Sequence, residues 1–216
     1  FRSVDFYMYQ SGHGAGRQDR PYVLAEKFTA YPVKRPVVNS EPPYEGHGRV
    51  GERSRFNAFD VRKATWQSLL SGAKMGVTYG AHGIWMFHQR GMQFLNAARS
   101  FEPYPWDVAL TLEGAWDAGF ARWLFETYNF FALEPSSMVL TDDPEIRAAS
   151  SPDLSTVAIY SPYAFDITLD LDLADYKVVL VDLAARHIAV PGVEPGTPSH
   201  IRMHPFNADV LVIATK

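Results

Sequence analysis

Arg35-Pro-Val-Val-Asn-Ser-Glu41-Pro-Pro-Tyr-Glu-Gly46 is the stretch on which the fold turns. A short β-branched run ends in a carboxylate, and two prolines follow at once. Such a run reads as a buried strand, and the prolines prevent it from continuing as strand or helix. Glu41 therefore stands where a parallel strand gives way to its loop. In parallel α/β folds that rim carries the chemistry.

The same grammar extends on both sides. Residues 1–10 alternate and are rich in Tyr and Phe, which predicts a strand, and Ser11-Gly-His-Gly-Ala-Gly16 predicts a glycine-rich loop. Pro21 opens a helix to about Tyr31, and the strand 36–41 follows. The polar segment 42–57 is longer than a simple connection needs and is a candidate functional loop. Asn57 is placed to cap a helix over roughly 58–72, with Phe59, Ala64, Trp66, Leu69 and Leu70 as buried positions. Gly76 to His88 reads as a third strand with its exit loop. Residues 111–131 are strongly helical, and Trp116, Phe120, Trp123, Phe125 and Tyr128 are expected to pack.

From about residue 133 the pattern changes. Arg147–Ala149, Thr156–Ser161, Phe165–Leu171, Lys177–Asp182 and Asp209–Thr215 are short strand candidates between Pro, Asp, Gly and Ser. Phe165-Asp-Ile-Thr-Leu-Asp-Leu171 alternates apolar and polar residues, as a sheet with one wet face does. The expected organisation is α/β over residues 1–132 and a small antiparallel β-sandwich over 133–216.

Composition narrows the function. The 216 residues are 47% hydrophobic and carry a net charge of −4, enough apolar material for a core. Without a basic stripe, nucleic acid is not the expected partner. No run approaches the roughly 20 apolar residues that span a membrane. Cysteine is absent, which excludes disulfides and thiolate metal sites. The chain opens at Phe1 without Met and already in a strand-like pattern, so a start inside a larger protein is expected.

Three strand ends deliver the candidate site. The first supplies Tyr9, Gln10 and His13; the second Asn39, Glu41, Tyr44, Glu45 and His47; the third Tyr79, His82 and Trp85. If the strands are parallel neighbours, these groups meet at one mouth. Carboxylates, amides, imidazoles and an indole face are what a sugar site requires: partners for hydroxyls, a flat surface for C–H groups, and carboxylates for an oxocarbenium-like transition state. Blander readings stand beside this one. Glu41 alone reads equally as a helix cap or a partner of Arg35, Glu45 as a loop ion-pair partner, His13 as a turn residue, and Trp85 as core. His13, His47, His82 and His88 lack the helical spacing of a zinc enzyme, so no metal and no cofactor is expected.

Val4-Asp-Phe-Tyr-Met-Tyr-Gln-Ser-Gly-His13, Pro36-Val-Val-Asn-Ser-Glu-Pro-Pro-Tyr-Glu-Gly46 and Gly76-Val-Thr-Tyr-Gly-Ala-His-Gly-Ile-Trp85 together resemble the apiosidase-like glycoside hydrolases. The resemblance covers nearly the whole chain, in order. It implies strands six, seven and eight of a (β/α)8 barrel, followed by a small β-sandwich of the type labelled collagen-binding. It also implies a retaining O-glycosidase of plant-type or other complex polysaccharide side chains. Glu41 then maps onto the nucleophile and Glu45 onto a second candidate. Trp85 maps onto the aromatic floor of the −1 sugar. Gln10, His13 and His82 map onto groups that bind hydroxyls or orient the nucleophile, with Asn39 and Tyr44 as further substrate-binding candidates. The acid/base would come from strand four, in a missing N-terminal half of the barrel, so this chain alone is expected to be incomplete and inactive. The resemblance favours a secreted or periplasmic location. Leu180-Val-Asp-Leu-Ala-Ala-Arg-His187 departs from the Trp/Tyr-x-Asp-Pro turn common in such sandwiches. The competing reading is a non-catalytic carbohydrate-binding or structural module that retains a barrel remnant.

Overall fold

The computed structural model describes residues 3–94, 101–203, 206 and 208–216. The chain forms two compact units. One comprises Phe1–Leu69 and Ala73–Ala121, the other Leu70–Gly72 and Arg122–Lys216.

The first unit is built on three strands, β1 (Tyr7–Gln10), β2 (Val37–Glu41) and β3 (Gly76–Val77), in the spatial order β1-β2-β3. Both pairings are parallel. Parallel neighbours need crossovers, and helices α1 (Arg20–Thr29) and α2 (Ala58–Leu70) supply them. Tyr7 and Tyr9 point to the helical side and pack with Ala25, Phe28 and Tyr31, while their hydroxyls donate to Val33 O and Pro21 O, each at 2.8 Å. Pro21 lies in the first turn of α1, where its missing N–H costs nothing. Asn57 and Asp60 cap α2 reciprocally: Asp60 N donates to Asn57 Oδ1 at 3.3 Å, and Asn57 N to Asp60 Oδ2 at 2.8 Å. Of the expected core of α2, Ala64, Trp66, Leu69 and Leu70 are buried, whereas Phe59 is partly exposed.

One expectation is sharpened here and another corrected. The third strand is two residues long, and the chain from Ala81 to Phe87 runs through turns. Gly83 takes φ of 131°, which an extended strand does not accommodate. A short helix, α3 (Trp106–Ala109), lies before the stretch 111–131, which contains α4 (Gly114–Thr127) and the start of a 3-10 turn (Phe130–Ala132). On α4 Leu124 and Phe125 are buried, but Trp116 is 69% exposed and Trp123 is exposed as well. Helical spacing shows that two indoles share a face; it does not show that the face is covered.

Among the described residues the second unit contains nine strands. Six lie in the order β4-β5-β6-β12-β8-β9 and three in the order β10-β11-β7, every pairing antiparallel. They are β4 (Glu134–Ser136), β5 (Arg147–Ser150), β6 (Thr156–Ser161), β7 (Ile167–Leu169), β8 (Lys177–Asp182), β9 (His187–Ala189), β10 (Gly192–Glu194), β11 (Ser199–Arg202) and β12 (Val210–Thr215). Ile159, Leu180 and Val212 of the larger sheet share one core with Ile167, Leu169 and Ile201 of the smaller. Strands β4, β9, β10 and β11 have no counterpart in the sequence reading. Pro135 sits in β4 at a sheet edge, where a missing donor is tolerated.

Candidate active site

A change of register sets the direction of Glu41. Tyr9 pairs with Asn39, but Gln10 pairs with Glu41, so Ser40 is an extra residue on β2. Strict alternation would place Glu41 on the helical side with Val37 and Asn39; the inserted residue rotates it onto the face of Gln10. Ser40 Oγ donates to Tyr9 O at 3.1 Å, and Thr78 Oγ1 donates to Ser40 O at 2.8 Å, so both neighbours fix the bulge. Gln10 Nε2 donates to Glu41 Oε2 at 2.9 Å. His13 Nδ1 lies 3.8 Å from Glu41 Oε1, and the Glu41 side chain is 32% exposed. Tyr44 is nearby, its hydroxyl pKa raised by burial and by the Glu41 charge. Its ring lies against Gly80, where a Cβ would stand 2.2 Å from Tyr44 Cδ1.

Glu45 is arranged differently. It is 5% exposed, and one oxygen, Oε2, accepts both Tyr79 Oη and Gly114 N at 2.8 Å. It thus holds the first residue of α4, and a Cβ on Gly114 would stand 2.5 Å from that oxygen. Burial raises its pKa; the Tyr79 and Gly114 hydrogen bonds oppose the rise, and Asp117 and Glu113 add to it. The folded state therefore holds this proton more tightly than the unfolded chain. Its contribution to stability is present at low pH and falls away as pH rises through the carboxylate range. We expect Glu45→Ala to cost about 2–3 kcal/mol, because a buried N–H and a phenol lose their acceptor. Glu45→Gln should cost under about 1 kcal/mol and flatten that pH dependence, since the amide oxygen still accepts. Denaturant melts between pH 4 and 8 measure both; an unchanged Glu45→Ala midpoint would remove the structural role.

Asn39 is also engaged internally. It is buried, its Nδ2 donates to Ser11 Oγ at 2.9 Å and Ser68 Oγ at 3.1 Å, and Ser11 N donates to its Oδ1 at 3.4 Å. That leaves the amide on the helical side of β2, tying it to α2, instead of beside Glu41.

The histidines form a column. The ring centroids of His13 and His47 are 4.1 Å apart, and those of His47 and His82 are 4.4 Å apart. Each ring comes from the loop after a different strand. His47 Nδ1 donates to Gly48 O at 2.7 Å, and His82 Nε2 lies 3.2 Å from Phe101 O. Burial, then the neighbouring imidazoles, pushes His13 down to about 3; burial and His47 push His82 down to about 4. His47 is lowered too, chiefly by burial. All three are therefore neutral at ordinary pH. Beside them lies Arg55, which no local pattern in the chain singles out. Its guanidinium donates to Gly46 O at 2.5 Å and Glu102 O at 2.8 Å, over the Phe101 and Tyr104 rings. No three His, Asp or Glu side chains converge as metal ligands among the described residues.

Trp85 lies in the turns beyond β3 and is 51% exposed, so it is not core. An indole in that state offers a flat apolar face to a ligand. Thus Gln10, His13 and Tyr44 gather around Glu41, His82 is joined to them through His47, and Glu45 and Asn39 are held by the scaffold.

A solved structure described as a glycoside hydrolase superposes with a TM-score of 0.83 at 20% identity, covering 99% of this chain and 53% of that one. A glycoside hydrolase family 5 structure from Bacteroides vulgatus gives 0.83 at 19% identity, covering 99% and 51%. At such identities the likeness is one of fold, and the chain spans about half the length of each. No curated protein sequence matches. The family model described as the apiosidase-like catalytic domain matches residues 1–132. With more than half its length matched by that model, the chain belongs to the apiosidase-like family.

Proposed function

We propose that the protein carrying this chain is a retaining glycoside hydrolase acting on the side chains of plant-type or other complex polysaccharides, with Glu41 as nucleophile. The observation that carries this is the bulge at Ser40. It turns one partly exposed carboxylate onto the open face of a parallel strand's C-terminal end, while the neighbouring carboxylate, Glu45, is buried under Tyr79 and Gly114. In this reading residues 1–132 are strands six to eight of a (β/α)8 barrel with their helices, and residues 133–216 are a small β-sandwich.

The chemistry follows from the contacts. Gln10 holds Glu41 Oε2, which leaves Oε1 to attack the anomeric carbon. The glycosidic C–O bond breaks as an acid about 5–5.5 Å away, outside this chain, protonates the leaving oxygen. Water, deprotonated by that same group, then attacks the glycosyl ester and frees Glu41. Trp85 supports the sugar face and Tyr44 serves its hydroxyls, while His82, 2% exposed with Nε2 against Phe101 O, and the packed His13 stand behind them. The full-length protein incubated with branched plant polysaccharides should release a sugar measurable by chromatography. Retardation in glycan-containing gels with no release from any of them would instead establish the binding-module reading.

A further inference from the structure

The three imidazoles do more than line the mouth. His13, His47 and His82 join the three strand-end loops into one column, and one end of that column stands beside the Glu41 carboxylate. His13 is packed between Tyr44, whose ring centroid is 4.7 Å away, Phe56 at 6.2 Å, and His47. Its Nε2 is buried without a hydrogen-bond partner among the described residues. What keeps His13 against Glu41 is therefore packing, and His47 is the nearest of the three rings, at 4.1 Å. We propose that His47 is a positioning residue for the nucleophile: wedged between His13 and His82, it holds His13 as an uncharged plate beside Glu41. This rests on the reading of Glu41 as nucleophile.

The charge of the plate matters because of its place. A protonated His13 would put a cation 3.8 Å from Glu41 Oε1, hold that oxygen in an ion pair, and weaken it as a nucleophile. The groups facing the column argue against that charge. Among the described residues, Glu41 is the anion that bears on His13 and His47, whereas Arg55 adds a fixed positive charge near His47 and His82, and His88 acts on His82 from the next turn. Burial and mutual repulsion then keep the rings neutral. Loss of the His47 ring would admit water to His13 and return it toward the ordinary imidazole range, about 6.5.

The test uses the full-length protein. His13 is followed by NMR titration without substrate, its signal assigned by loss in His13→Gln. In His47→Ala its midpoint should rise from about 3 toward about 6. The same variant should lose about tenfold more kcat at pH 5 than at pH 8, relative to wild type, with KM little changed. His47→Phe, which restores a ring plate, should bring both readings back. If His47→Ala does not fold, His47→Asn carries the same expectation, since it keeps a donor for Gly48 O but not the plate. A folded variant with His13 titrating as in wild type overturns the proposal, as does a His47→Phe as defective as the alanine variant. If His13 shifts as expected while Glu41→Gln remains active, the nucleophile is misassigned and His47 positions nothing catalytic.

Discussion

Glu41→Gln in the full-length protein is expected to lower kcat by about four orders of magnitude or more, because removing a covalent nucleophile removes the pathway it opens. Binding and stability should stay near wild type. The Glu41 side chain is partly exposed, and an amide oxygen can still accept from Gln10 Nε2. Glutamine is close in shape, so the neighbouring Tyr44 and His13 need not move. Single-turnover assays with glycan, alongside a binding isotherm, separate the two effects. A variant that binds and does not hydrolyse fits the account; one that hydrolyses normally ends it. The contrast with Glu45→Gln is part of the prediction, since that carboxylate is held against Tyr79 and α4.

The second large effect is expected at Gly83, on stability. A Cβ there would stand 2.1 Å from Tyr104 O, a backbone atom, and the residue has φ of 131°. The neighbouring backbone leaves no slack, since Tyr104 N donates to His82 O at 3.1 Å and His88 N to Gly83 O at 2.9 Å. Both steric and torsional penalties therefore apply, and Gly83→Ala should destabilise by about 3 kcal/mol or more. For a chain of this length that is a fall in Tm of roughly 10 °C. Gly91 is the control: φ is 80°, but none of the described residues lies within 4 Å of its added Cβ. Gly91→Ala should cost about 1 kcal/mol. Equal melting curves for the two variants would contradict the crowding at Gly83.

Much of the frame is legible in the sequence because each of its signals is local. Proline after a β-branched run ends β2 at Glu41, Pro21 opens α1, and Asn57 caps α2. The spans of β6 and β8 follow from short apolar runs bounded by turn residues. What escapes reading is set by neighbours distant in sequence. The bulge at Ser40 exists only in the pairing of β2 with β1. The burial of Glu45 depends on Gly114, and that of Asn39 on Ser11 and Ser68. Trp116 shows the converse: an apolar residue at helical spacing can stand in solvent, and the sequence carries no mark of it. Strands β9 to β11 are three or four residues long, too short for a period to register.

The most direct measurement is a rapid-quench mass spectrum of the full-length protein during turnover of a glycan that it cleaves. The account predicts a transient mass increase equal to one glycosyl residue, carried on the peptide containing Glu41 and absent from Glu41→Gln. A glycosyl adduct on any other residue, Glu45 included, or turnover that proceeds with inversion and no adduct, would contradict it.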